Sequence, residues 1–210
     1  MEPIFLSYFL SENTPTYGGA EGTIIFEQER SINRGDTSNN LKLIFPAHLG
    51  THIDFPRHFS DDGKMCSDYA AAFWIFSKIG FIECRTDEVE EHIGNLPVDI
   101  EILILKTGFG NKRGTSEYWS SQPIIPASLA SILKKKFPSL RVFGFDLISL
   151  TSKLDRAEGK IAHIQFLLQN DILVLEDMDL RNLFSAPDNL IIAPLQIEGA
   201  DGVPCNVISY

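Results

Sequence analysis

Residues 48–58 read His48-Leu49-Gly50-Thr51-His52-Ile53-Asp54-Phe55-Pro56-Arg57-His58. Three of the five histidines of the chain lie in this stretch, together with one aspartate. All four occupy even-numbered positions, and side chains of an extended chain alternate between two faces. One face therefore carries imidazoles and a carboxylate, whereas the other carries Leu49, Ile53 and Phe55, which suit a core.

A straight strand does not bring these histidines together. It would place His48 and His52 about 13 Å apart at the backbone, whereas each Zn–N bond measures only about 2.0–2.1 Å. The chain must therefore bend, and Gly50 is the natural place because glycine tolerates backbone angles that other residues avoid. We predict a strand ending in a curved turn, with His48, His52 and Asp54 converging as metal ligands, since imidazole and carboxylate are typical donors to Zn and Mn.

A single short segment seldom supplies every ligand, so we searched for other histidines and carboxylates. His163 falls in a predicted helix, Ala157–Gln169, and Glu176 follows a predicted strand, Ile172–Leu175. Catalytic groups are often displayed at the carboxyl ends of strands in α/β sheets. Taken alone, however, His163 would be a helix-surface residue and Glu176 a solvated strand end, because spacing does not show whether they reach the first cluster.

The remaining pattern indicates a single α/β domain, residues 1–210, with a mixed sheet. The first forty residues are predicted to be loop-rich. Short apolar segments predict the strands Leu41–Phe45, Trp74–Cys84, Ile100–Thr107, Val142–Phe145, Ile172–Leu175, Leu190–Ile197 and Val203–Ile208. Pro126 opens a helix that runs to about Phe137. In the helix Ala157–Gln169 the apolar stripe is predicted to comprise Ile161, Ile164, Leu167 and Leu168.

Composition excludes several classes of protein. The formal net charge of -10 repels phosphate backbones, so we expect no nucleic-acid partner. No stretch of 18 apolar residues occurs, which predicts no membrane span, and the first residues lack the basic region of a signal peptide. The three cysteines form no CxxC pair, which suggests reduced thiols and a cytoplasmic location rather than disulfides or a thiolate zinc site.

The stretch at 48–58 matches H-x-G-T-H-x-D-x-P-x-H in full and thereby resembles the cyclase family of metal-dependent hydrolases, which includes bacterial kynurenine formamidases and isatin hydrolases. Further likeness to that family lies in Gly144–Ser149, in Leu173–Glu176 and in the segment Ala193–Pro204, so it covers nearly the whole chain. The resemblance implies a swivelling β/β/α domain with a mixed, barrel-like sheet flanked by helices. We also expect a homo-oligomer, either a dimer or a tetramer.

The resemblance also implies a role for each matching residue. A divalent metal, Zn or Mn, is expected in one or two ions per chain. The implied ligands of the first ion are His48, His52 and Asp54, and those of a second ion are His163 with Asp54 and Glu176 as bridges. His58 would be the acid/base, and Tyr17 would contact the substrate.

These residues predict hydrolysis of an amide such as N-formylkynurenine. A bound divalent ion would activate water and polarise the carbonyl, and His58 would transfer the proton to the leaving amine. One alternative is an isatin hydrolase-like lactam or lactone hydrolase, or a polyketide-type cyclase, and another is a non-catalytic metal-binding scaffold. A serine hydrolase is disfavoured because no G-x-S-x-G occurs. The roles of Thr51, Arg57 and the loop Gly108–Gly114 remain open at this stage.

Overall fold

The computed structural model describes residues 2–19 and 24–210, and its main feature is one mixed β-sheet with helices packed against it. Residue 1 and residues 20–23, which fall in the predicted loop-rich start, lie outside the described residues. The strands are β1 (Ile4–Phe5), β2 (Ile25–Arg30), β3 (Asn40–Ile44), β4 (His52–Asp54), β5 (Ile75–Phe76), β6 (Ile79–Glu83), β7 (Ile102–Lys106), β8 (Val142–Phe145), β9 (Leu173–Glu176), β10 (Leu190–Pro194) and β11 (Gly202–Ser209). The α-helices are α1 (Val89–His92), α2 (Glu117–Ser120), α3 (Ser128–Lys136) and α4 (Arg156–His163), and α4 continues as a π-helical segment, Ile164–Gln169.

The order of the strands in the sheet is β5-β10-β11-β4-β9-β8-β7-β6, with β1 also paired to β11. Strands β6 to β9 run parallel, whereas the pairs of β4 with β9 and with β11 are antiparallel. Strand β4 therefore joins a parallel half of the sheet to an antiparallel half. The predicted α/β fold with a mixed, barrel-like sheet flanked by helices is confirmed.

The near closure of the sheet follows from the chain between β5 and β6. These strands occupy the two ends of the strand order, yet only Ser77 and Lys78 separate them in sequence. Because the three Cα–Cα steps from Phe76 to Ile79 span at most about 11 Å, the sheet must curl until its edges nearly meet. The prediction of one continuous strand over Trp74–Cys84 was therefore wrong, because this segment forms two strands, one at each edge of the sheet.

The parallel half forms the centre of the core. In β7, Ile102 to Leu105 are fully buried, as expected for a strand covered on both faces. The side chains Val142, Phe143 and Phe145 of β8 are equally buried beside it. Leu129 and Leu133 of helix α3 are buried in the same core. This rigid half carries β9, whose end contributes to the site described below.

Strand β2 was missed because its sequence lacks an alternating apolar pattern. It pairs only with β3, in a separate two-stranded hairpin. Five of its six residues are exposed, and so are all those of β3, so no buried face imposes a period of two on the sequence. The exposed side chains include Ile25, Leu41 and Leu43. The homo-oligomer stays a prediction.

The helix predicted over Ala157–Gln169 exists, but its predicted apolar stripe is wrong at two positions. Ile161 and Leu168 are 49% and 37% exposed, whereas His163 and Phe166 are buried. The chain turns π-helical at Ile164, and a π-helical turn contains more residues than an α-helical one. The inward face therefore rotates away from the stripe that a period of 3.6 residues predicts. None of the described helices is long and apolar enough to cross a membrane.

Candidate metal centre

The bend predicted at Gly50 is confirmed and gives the site its shape. Gly50 has a left-handed backbone with φ of 61°, which a residue without a Cβ adopts freely. The chain before the bend folds back, so that His48 Nδ1 lies 2.8 Å from Asp54 Oδ1. After the bend, His52 Nδ1 donates a hydrogen bond to the carbonyl oxygen of Gly50 at 2.8 Å. Because Nδ1 makes this bond, Nε2 of His52 faces the interior, where it can act as a metal ligand.

Strand register brings the remaining groups to the same face of β4. His52 is paired with Glu176 of β9, and Asp54 is paired with Gly202 of β11. Directly paired residues point to the same side of a sheet, so Glu176 joins the imidazole of His52. A Cβ on Gly202 would lie 2.2 Å from Cε1 of His48. The glycine therefore provides the space that the ring of His48 occupies.

Two carboxylates and two imidazoles form the buried centre of the cluster. His52 Nε2 lies 3.3 Å from Asp54 Oδ1 and 3.3 Å from Glu176 Oε2. His163 Nε2 lies 3.4 Å from Asp54 Oδ2 and 3.5 Å from Glu176 Oε1. His163 Nδ1 donates to the carbonyl oxygen of Gly159 at 2.9 Å. Each carboxylate thus faces both inward nitrogen atoms, and all four side chains are buried.

His58 lies at the edge of this cluster beside a residue that sequence reasoning missed. A short turn, Pro56–His58, follows β4 and places His58 Nδ1 3.1 Å from Asp201 Oδ2. The same oxygen is 3.1 Å from His48 Nε2. The only signal for Asp201 is its place in the glycine-flanked segment Gly199–Gly202. It becomes a neighbour of both histidines through the pairing of β11 with β4.

A cavity of about 260 Å³ opens onto the cluster. All seven residues singled out from the sequence line it, namely Tyr17, His48, His52, Asp54, His58, His163 and Glu176. Tyr17 is 40% exposed, and Phe59 stacks on the ring of His163 at 4.7 Å. The structure therefore brings the whole predicted set together, while the roles assigned to its members stay predictions. Arg57 does not line this cavity. Its guanidinium donates a hydrogen bond to the carbonyl oxygen of Asp61 instead.

Mutual pairing shifts the pKa values in this cluster. Burial alone would raise the pKa of Asp54, yet hydrogen bonds from His163, His48 and His52 hold it well below its usual range. Burial would lower the pKa of His52, but Asp54 and Glu176 raise it well above its usual range. The same two carboxylates, against the effect of burial, raise the pKa of His163 to about 10. Protons on the imidazoles therefore balance the two buried negative charges.

The donor set fits a divalent metal ion. Within the described ranges, no lysine or arginine forms an ion pair with Asp54 or Glu176. A tetrahedral ion with bonds of about 2.1 Å holds its donors about 3.4 Å apart, close to the spacings above. Two overlapping groups have ligand atoms within 4.8 Å of one another, and they are His52, Asp54 and Glu176, and His48, Asp54 and His58. Because His58 belongs to the second group, its imidazole is a candidate metal ligand as well as the predicted acid/base.

Known proteins resemble the chain over its whole length. The cyclase family model matches residues 4–152. This chain belongs to the cyclase family. It is 30% identical to a kynurenine formamidase of Bacillus cereus over 217 residues, covering 99% of this chain and 96% of the relative. A kynurenine formamidase of Bacillus cytotoxicus is 32% identical over 188 residues, covering 87% and 82%.

Solved structures share the fold at lower sequence identity. Isatin hydrolase A from Labrenzia aggregata, bound to benzyl benzoate, has a TM-score of 0.80 at 18% identity, covering 99% of this chain and 93% of that one. An isatin hydrolase bound to the product analogue thioisatinate gives 0.79 at 16% identity, covering 99% and 91%. Family membership and the histidine–carboxylate cluster together identify the chain as a metal-dependent hydrolase.

Replacing Gly202 tests the space made for His48. In Gly202→Ala the new methyl group overlaps the imidazole, so we expect His48 to leave Asp54 and metal affinity to fall. Overpacking of this kind costs about 1–3 kcal/mol of unfolding free energy, which urea denaturation measures. Gly94→Ala is the control, because no atom lies within 4 Å of its added Cβ. Equal metal affinity and stability in the two variants would contradict this account.

Metal binding should release protons near neutral pH. The raised pKa values of His52 and His163 mean that these imidazoles carry protons in the metal-free protein, and a ligand imidazole must be neutral. Titration calorimetry in buffers of different ionisation enthalpy measures the release. The same binding enthalpy in every buffer would contradict the prediction.

The unfolding free energy of the metal-free protein should fall as the pH rises above neutral. Because the folded pKa of His163 is raised to about 10, its pairing stabilises the fold fully below the unfolded value of about 6.5. That contribution is lost as the pH rises through the folded pKa. Denaturation of metal-free protein should therefore become easier from neutral to alkaline pH, whereas added metal should protect more strongly over the same range. If the unfolding free energy of the metal-free protein rises over this range, the pairing of a protonated His163 with the two carboxylates is contradicted.

Proposed function

We propose that this chain hydrolyses the amide bond of an N-formyl aryl amine, with N-formylkynurenine as the representative substrate. The observation that carries the proposal is His58, which lines the same cavity as the buried histidine–carboxylate cluster and is hydrogen-bonded to the carboxylate of Asp201. The full-length likeness to kynurenine formamidases supports the choice of a formamide.

Five side chains would hold the metal in this proposal, and they are His48, His52, Asp54, His163 and Glu176. When bound, a divalent ion such as Zn or Mn supplies an activated water and polarises the scissile carbonyl. The protein fixes the donors before any ion arrives, because His52 Nδ1 and His163 Nδ1 are already committed to backbone carbonyl oxygens. Such outer contacts set the orientation of ligand imidazoles.

His58 moves the proton in the proposed reaction. With Nδ1–H directed at Asp201, Nε2 is left as the basic atom, and the carboxylate stabilises the imidazolium that forms. His58 accepts a proton from the attacking water and returns it to the amine nitrogen as the C–N bond breaks. The products are formate and the free aryl amine, so no further reactant is required.

The cavity wall suits a flat aromatic substrate. Tyr17, Phe59 and Ile148 contribute apolar surface to the wall of the cavity that the donor cluster also lines. A volume of about 260 Å³ lies just below the range of about 300–1,000 Å³ for ligand pockets, which favours a substrate with one ring. We propose that the aryl group lies against Tyr17, with the formyl carbon directed towards His58.

A second candidate is the opening of an aryl lactam, as the fold shared with isatin hydrolases suggests. The same groups serve both reactions, because each breaks a C–N bond between an acyl carbon and an aryl nitrogen. The two differ only in whether the amine departs or stays tethered to the new carboxylate.

Metal-loaded protein should be assayed with N-formylkynurenine and isatin side by side. We expect turnover of the formamide, complete loss on chelation and recovery on adding Zn or Mn. Turnover of isatin alone would replace the formamide proposal with the lactam candidate. Protein that binds metal but turns over neither substrate would reject both.

Substitution of His58 separates the acid/base role from metal ligation. We expect His58→Ala to lower kcat by about 10²–10⁴-fold while metal content, measured by atomic emission, stays unchanged. His92→Ala is a matched control, because that histidine is exposed and bonded only to its own helix. Loss of metal from His58→Ala would instead make His58 a ligand, in agreement with the second donor group.

A further inference from the structure

The pairing of β4 with β9 stops immediately beyond two proposed metal ligands. His52 and Glu176 form the last pair of the ladder, and the next residues outward are Thr51 and Asp177. Asp177 has a left-handed backbone with φ of 51°, which turns the chain away and ends the regular ladder. The hydroxyl of Thr51 replaces the missing contact by donating to the carbonyl oxygen of Asp177 at 2.5 Å.

The carboxylate of Asp177 is buried and held by two donors. Arg113 donates to it through Nε at 2.9 and 3.1 Å and through Nη2 at 2.9 Å. The hydroxyl of Tyr118 donates to Oδ1 at 2.6 Å. A two-pronged arginine contact fixes orientation as well as charge. A left-handed aspartate is strained, and these contacts hold it in place.

Arg113 is itself held by the loop Gly108–Gly114, for which the sequence indicated no role. The buried carboxylate of Asp146, directly after β8, accepts hydrogen bonds from the backbone N–H groups of Gly108 at 2.9 Å and Gly110 at 3.3 Å. The guanidinium of Arg113 then lies 3.8 Å over the ring of Tyr8. The parallel half of the sheet therefore fixes this loop.

The network closes on Thr51. The backbone N–H of Tyr8 donates to Thr51 Oγ1 at 3.0 Å, so this hydroxyl accepts one hydrogen bond and donates another. The path from Arg113 returns through Tyr8 and Thr51 to Asp177. None of these side chains lines the cavity of the metal centre. Their contacts act on the backbone beside His52 and Glu176.

We propose that Thr51, Asp177 and Arg113 form a clamp that positions His52 and Glu176 for metal binding, a role that rests on the metal site proposed above. Thr51 precedes His52, and Asp177 follows Glu176, so one hydroxyl–carbonyl contact sets the separation of the two ligand-bearing strands. The clamp residues are positioning residues, because their contacts join the residues next to the two ligands in the chain and do not reach the reacting atoms.

Cobalt(II) provides the test, because its visible absorption reports ligand geometry. We expect Thr51→Val and Arg113→Met to weaken cobalt affinity, measured by competition with a chromophoric chelator, by about 10–100-fold, and to alter the absorption spectrum. Thr51→Ser keeps the hydroxyl and should restore both. Thr115→Val and Arg85→Met are matched controls, because they remove an exposed threonine hydroxyl contact and an exposed arginine–aspartate pair.

The outcomes separate the clamp from general stability and from the metal site. Variants with a lowered unfolding temperature but wild-type cobalt affinity and spectrum would overturn the clamp and leave a structural network. Wild-type protein that binds no cobalt, zinc or manganese would reject the proposed metal site, and the clamp with it. If Arg113→Met does not fold, Arg113→Lys carries the test, because it keeps the charge but loses the two-pronged contact, and unchanged affinity there overturns the proposal.

Discussion

Two carboxylates, those of Asp54 and Glu176, lie side by side and are almost completely buried, with residue exposures of 1% and 2%. Burying an ionised carboxylate is costly unless it is paired, and in the described part of the chain their ion-pair partners are all imidazoles. A lysine or arginine would neutralise them permanently. An imidazole can give up its proton and offer a lone pair instead. Protons and a metal ion would therefore compete for this cluster, because its negative charge has no fixed counterion.

The topology of the sheet serves this cluster. Strand β4 has only three residues, yet it lies between β9 and β11 and pairs with both. On one face it is anchored by Ile53, which together with the following Phe55 is fully buried. These apolar contacts prevent β4 from rotating, so its polar face stays directed at the cavity. The pairing with β9 supplies a carboxylate, and the pairing with β11 supplies a glycine that leaves room for an imidazole.

Local spacing was enough to predict one part of the site. The even-numbered positions of His48, His52 and Asp54, with a bend at Gly50, depend only on the geometry of a short chain segment, and the structure has this arrangement. The search for further histidines and carboxylates found His163 and Glu176, but only family resemblance assigned them to the site, because neither a helix position nor a strand end shows what lies opposite. Asp201 was missed, since its contact with His58 depends on the register of β11 against β4. The apolar stripe of the second helix was predicted wrongly because the change to π-helical turns at Ile164 leaves no recognisable pattern in the sequence.

The donor residues lie mostly on strands and a helix, whereas the apolar cavity wall lies on connecting segments. The fold therefore constrains the type of reaction more closely than the shape of the substrate. Most of the donors are carried by β4, the end of β9 and α4, elements tied to the core by backbone pairing or buried side chains. A change in their position would break contacts on both sides of the sheet. The cavity wall is different, because Tyr17, Phe59 and Ile148 lie in connecting segments outside the strands. Their side chains can change size without disturbing the ladder, so the shape of the cavity can vary while the donor set stays in place.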